Sequence, residues 1–84
     1  MYYVYMLKCG DGSFYCGYTN DVKKRFEKHK SGMGAKYTRS RLPLEIVYVE
    51  EFETKSDALK RECEIKKLKH LQKIKLTEAY SCNI

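Results

Sequence analysis

YYVYMLKCGDGSFYCGYT, residues 2–19, holds the reading on which the fold turns. Its flanks, 2–9 and 14–19, are β-branched and aromatic, and Gly10-Asp11-Gly12-Ser13 between them is a turn signal, so the segment reads as a β-hairpin. Loop length then decides which face each tyrosine takes. A two-residue Asp11-Gly12 turn would put Tyr5 and Tyr15 on opposite faces of the sheet. A three-residue loop, Gly10 to Gly12, pairs Tyr5 with Gly17 and Leu7 with Tyr15. The two phenols then become diagonal neighbours on one face, roughly 7–8 Å apart. Gly12 can supply the left-handed residue that such a loop needs, so the three-residue form is expected. Glycine opposite Tyr5 is also expected to leave space for a ligand beside the ring.

Outward from the hairpin, Asn20 reads as the N-cap of a helix from about Asp21 to Ser31, with Gly32 as its stop. Val22 and Phe26 mark its core face; Arg25 and His29 form a neighbouring i, i+4 row at the border with solvent. Residues 32–43 read as a loop. Residues 44–49 (LEIVYV) are nearly continuous apolar, as in a strand covered on both faces, and Glu50, Glu51 and Glu53 after it read as a solvated loop. A second helix is expected from Thr54–Asp57 to about Lys69, with His70 following its end. A short third helix could cover 71–78, and the tail from about 79 is expected to fray. The order β-β-α-β-α defines an α+β fold in one domain, residues 1–84, too short for a second core.

The net charge of +6 is confined to one stretch. Residues 20–42 carry eight basic side chains against Asp21 and Glu27, so the rest of the chain sums to zero. Lys24, Lys28, Lys36, Arg39 and Arg41, interleaved with Tyr37, point to a nucleic-acid partner held through its phosphates. The bland alternative is a solvated lysine-rich helix face. No apolar run is long enough to span a membrane and no secretory or lipidation signal is present, so a cytoplasmic location is expected. Cys9, Cys16, Cys63 and Cys82 form no C-x-x-C pair and read as reduced thiols.

On a helical wheel Ala58, Leu59 and Ile65 share one broad face, and Glu62 falls between them. A carboxylate inside an apolar stripe needs a cation to meet it: a divalent metal, Arg25 or a lysine. A structural ion pair at the helix edge satisfies the same requirement. Two phenols, a guanidinium, an imidazole and a carboxylate suit phosphodiester hydrolysis, in which water attacks in line and charge grows on the non-bridging oxygens. One carboxylate can hold one Mg²⁺ that keeps several waters. A guanidinium can clamp the phosphate. A phenol beside such cations would have its pKa lowered toward the range of a useful base.

Tyr3-Val4-Tyr5, Tyr15-Cys16-Gly17, Lys24-Arg25 with His29, and Arg61-Glu62, in that order and spacing, resemble the signature of the GIY-YIG nuclease family. The segment Gly34-Ala35-Lys36-Tyr37-Thr38-Arg39 is similar to that of its short stand-alone bacterial members, and the resemblance runs from about Tyr2 to Leu68. Tyr3 stands in place of the first glycine, and Val4 and Cys16 in place of the isoleucines. The resemblance implies a small α/β sandwich around a three-stranded antiparallel sheet, and an endonuclease dependent on one divalent metal ion, Mg²⁺ or Mn²⁺. It implies Tyr5 as the catalytic phenol or base, Tyr15 as the phenol that orients it, and Arg25 as the transition-state cation. His29 would assist proton transfer and Glu62 would bind the metal. DNA is favoured over RNA as substrate; a nucleic-acid-binding module of the same fold without turnover is the competing reading.

Overall fold

The computed structural model describes residues 1–33, 38 and 40–79. Its elements are β1 (Tyr2–Cys9), β2 (Phe14–Thr19), α1 (Val22–Lys30), β3 (Leu44–Phe52), α2 (Lys55–Lys66) and α3 (His70–Glu78). The strands form one antiparallel sheet in the order β2-β1-β3, so β1 lies in the centre and β2 is an edge. The three-stranded α+β architecture expected from the sequence is the one observed.

The hairpin has the three-residue loop. Tyr5 pairs with Gly17 and Leu7 with Tyr15, Cys9 N–H donates to the Ser13 carbonyl at 2.8 Å, and Gly12 takes φ +85°. Being central, β1 loses water from both faces: Val4, Met6 and Leu7 are fully buried and Tyr5 is 2% exposed. Its alternation divides the molecule. Val4 and Met6 join Cys16, Tyr48, Ala58 and Ile65 in the main core beneath α2. Tyr5 faces the other way, toward α1 and His29.

Several element boundaries differ from the sequence reading. The N-cap of α1 is Asp21, not Asn20: its carboxylate accepts from Lys24 N–H at 3.1 Å, while its own N–H is held by the Thr19 hydroxyl at 3.1 Å. Gly32 ends the helix as expected, at φ +81°. Strand β3 continues through Glu50 and Glu51, which pair opposite Val4 and Tyr3, so these acids are not loop residues. Glu50 is stabilised there by the Tyr48 hydroxyl and by Arg61 Nε at 2.9 Å. That Arg61 also reaches Glu64 at 3.3 Å, and so ties α2 to the sheet edge. Thr54 caps α2, which ends at Lys66, earlier than expected, and Leu59 on it is 38% exposed instead of core. His70 begins α3 rather than trailing α2, and its ring packs on Phe14 at 5.2 Å between centroids.

Candidate active site

Tyr5 sits at the middle of the sheet because its neighbours on β1 are apolar and its cross-strand partner has no side chain. A Cβ added at Gly17 would lie 2.7 Å from the Tyr5 hydroxyl oxygen and 2.9 Å from Cζ. The phenol ring itself fills the space over Gly17, which corrects the expectation of a ligand there. Tyr15, one diagonal step away, has its ring centroid 6.3 Å from that of Tyr5, as the three-residue loop requires.

Helix α1 brings His29 against both rings, 5.9 Å from Tyr5 and 5.1 Å from Tyr15 between centroids. His29 is not a border residue: it is fully buried. An imidazole in that position needs partners on both nitrogens, and it has them. Nε2 meets the Tyr5 hydroxyl at 2.9 Å, and Nδ1 meets the hydroxyl of the equally buried Thr38 at 2.8 Å. Thr38 was given no role by the sequence. The signal that could have found it is the requirement for a second hydroxyl on a buried histidine nine residues earlier.

Arg25 lies one helical turn before His29. Its guanidinium is close enough to the Tyr5 and Tyr15 hydroxyls to hydrogen-bond with them, which raises its pKa. Its Nε is buried without any hydrogen-bond partner among the described residues. An orphan buried donor on a half-buried cation is what an absent anion would satisfy. The electrostatics of the pair correct one expectation. Burial outweighs the nearby Arg25 charge, and the Tyr5 phenol is pushed up to about 12 rather than lowered. Burial, and then the Arg25 charge, push the His29 imidazole below its usual value, so it is neutral at physiological pH.

A hollow of about 200 Å³ opens on the solvent side of Arg25, lined also by Lys24, Lys28, Thr19, Asn20 and Asp21. Thus two of the expected phosphate-binding lysines stand beside Arg25. Arg41 is engaged elsewhere, with Asp11 of the hairpin loop at 3.1 Å. Lys36 and Arg39 lie outside the described residues.

Glu62 projects from α2 toward the sheet, and its side chain is 16% exposed. Among the described residues its ion-pair partner is Lys66 Nζ at 3.8 Å, one turn along the same helix, not Arg25. It is also near Cys16 of β2, whose thiol is pushed up to about 12, first by burial and then by the Glu62 charge. Glu62 therefore approaches the edge strand from the α2 side, while Tyr5, Tyr15, Arg25 and His29 gather on the α1 side. Among the described residues no three His, Cys, Asp or Glu side chains come together. The donor set suits a hard cation that takes one carboxylate from the protein and its other oxygens from water and a phosphate. A second cationic hollow, about 190 Å³, lies against Tyr15 and Cys16 and is lined by Lys66 and Lys73. Charge counting missed it because residues 43–84 are neutral in sum.

The model of the GIY-YIG catalytic domain matches residues 1–75. A UPF0213 protein of Staphylococcus saprophyticus is 55% identical over 75 residues, covering 89% of this chain and 92% of that protein. A UPF0213 protein of Staphylococcus aureus gives the same identity and coverage. Among solved structures, the UPF0213 protein BH0048 from Bacillus halodurans is 45% identical and superposes with a TM-score of 0.63, over 99% of this chain and 89% of that one. No helix among the described residues is long and apolar enough to cross a membrane.

Proposed function

The chain belongs to the GIY-YIG nuclease family, and on that premise we propose that it is a metal-dependent endonuclease hydrolysing phosphodiester bonds, of DNA in the first instance. The observation that carries this reading is the hydroxyl–imidazole–hydroxyl chain Tyr5–His29–Thr38 set beside a half-buried Arg25 whose buried Nε has no partner among the described residues.

The chemistry follows from the protonation states. With a pKa near 12, Tyr5 holds no useful fraction of phenolate at neutral pH. It can act as a base only by passing its own proton onward as it accepts one from the attacking water. Neutral His29 is placed to take that proton in the tautomer whose Nδ1–H donates to Thr38, which leaves Nε2 to accept from the Tyr5 hydroxyl. Tyr15 packs against both rings and fixes their tilt. Arg25, through its unsatisfied Nε, holds a non-bridging phosphate oxygen and stabilises the charge that grows on it. Glu62 would hold one Mg²⁺ or Mn²⁺ at the β2 edge, and that ion would supply Lewis-acid stabilisation of the phosphate. Lys24 and Lys28 hold the flanking backbone, which makes affinity fall steeply with salt.

The test is incubation with labelled single-stranded, duplex, flap and branched DNA, with and without Mg²⁺ or Mn²⁺. Cleavage that needs the ion and falls about 100-fold or more in Tyr5→Phe supports the proposal. Glu62→Gln should abolish cleavage and leave binding intact, since the isosteric amide removes the only protein anion offered to the ion. Binding without cleavage of any substrate would leave a nucleic-acid-binding module instead. Loss of thermal stability in Glu62→Gln, with cleavage unchanged per folded molecule, would remove Glu62 from the site.

A further inference from the structure

Two hollows share a wall at the Thr19–Asn20 end of β2. One is the cationic hollow at Arg25, Lys24 and Lys28. The other, about 340 Å³, is lined by Tyr2, Tyr18, Thr19, Asn20, Arg25 and Lys55, so Thr19, Asn20 and Arg25 belong to both. Val4 pairs with Tyr18, which makes Tyr2 and Tyr18 diagonal neighbours on the α2 side of the sheet. Both are half-buried and packed against the main core, which holds their rings in place. Lys55 Nζ lies over the Tyr18 ring, 5.9 Å from its centre. The hydrolytic chemistry uses none of these three side chains.

We propose that this second hollow is a base-stacking pocket, which takes the unpaired nucleobase next to the phosphate held at Arg25. The proposal rests on the phosphodiesterase reading and names its substrate class: a strand that is single or splayed open beside the scissile phosphate. Aromatic rings fixed by core packing present a π-face without a further loss of rotamer freedom, and every base can stack on one. Lys55, which covers the Tyr18 ring, must move off that face as a base enters and then supplies a cation for the adjoining phosphate. Asn20, exposed at the shared wall, offers one amide donor group and one acceptor to a base edge. A base still inside a duplex cannot enter without leaving its own stack, which disfavours fully paired substrate.

The experiment is fluorescence anisotropy of the intact protein in EDTA. The probes are an end-labelled oligothymidine, a strand of equal length made of abasic sites, and a blunt duplex. The oligothymidine should bind about tenfold or more tightly than the abasic strand. Tyr18→Leu and Tyr2→Leu should erase that difference without changing the salt slope, whereas Tyr18→Phe should keep it. Melting curves of each variant identify any that fails to fold; Tyr2→Leu, nearer the end of β1, carries the test if Tyr18→Leu does. Equal binding of the abasic strand and oligothymidine by the unmodified protein would overturn the proposal. So would an equal loss for both probes in a folded Tyr18→Leu. Cleavage of DNA with no base-dependent binding sinks the pocket alone. Base-dependent binding with no cleavage of any strand under Mg²⁺ or Mn²⁺ sinks the nuclease reading and supports the pocket.

Discussion

A methyl group at Gly17 would have to share space with the hydroxyl end of a fully packed phenol, 2.7 Å from its oxygen. The ring cannot retreat far, because His29 holds it from the other side at 2.9 Å. Gly17→Ala should therefore lose about 1–3 kcal/mol of stability, in line with other overpacked cores, as read by urea unfolding. Cleavage should fall further than that loss of folded protein explains, since the Tyr5–His29 contact must lengthen. Thr38→Val tests the other end of the chain. The change keeps the shape, removes the hydroxyl that Nδ1 meets, and should cost about 1–2 kcal/mol. It also frees the imidazole tautomer, so a proton relay through His29 predicts lower cleavage per folded molecule. A purely structural Thr38 predicts full cleavage per folded molecule.

At the scale of elements, α1 does the positioning, and its start is set by one carboxylate. Asp21 accepts from Lys24 N–H at 3.1 Å, and the next residue along the helix is Arg25. Asp21→Ala should cost about 1 kcal/mol, with Asp21→Asn restoring most of it, measured by thermal melting. The adjacent Asn20 shows why the sequence misplaced this cap. Both residues are good caps by type, and the choice was made by Thr19, whose hydroxyl holds the Asp21 N–H once β2 has ended there. Register was legible because glycine placement and the period of two leave little freedom to a short loop; hence Tyr5 was set opposite Gly17, and Tyr15 opposite Leu7, correctly. Burial of His29 was not legible. Its cover comes from Thr38, in a stretch with no periodic pattern, and periodicity alone could place the histidine only at a border. Glu50 went unread for the same reason: its partners, Tyr48 and Arg61, become neighbours only when α2 packs on β3.

For the whole molecule, the site residues couple stability to pH at both ends of the scale. The His29 imidazole has its folded pKa below the ordinary value of 6.5, so the unfolded chain binds its proton first as pH drops. Its contribution is complete above 6.5 and is lost as pH falls through the folded value. Tyr5 runs in the opposite sense. Its phenol ionises near 10 when unfolded and near 12 when folded, so the unfolded chain sheds that proton first as pH climbs. The stabilising difference is complete below 10 and disappears as pH rises toward 12, an effect on the order of 3 kcal/mol. A domain this small has little stability in reserve, so losses of that size are visible in melting curves. The melting temperature should hold a plateau between pH 6.5 and 9, where the Cys16 thiol of the unfolded chain begins to ionise, and decline on either side. Tyr5→Phe should lessen the alkaline decline, leaving the part that the buried Cys16 thiol carries. If the relay through neutral His29 operates, cleavage should fall as pH drops through the folded imidazole's value, which lies below 6.5. A cleavage profile that rises with acidity while the protein stays folded would show that His29 works as the imidazolium, and would reverse the direction of proton transfer assigned to Tyr5.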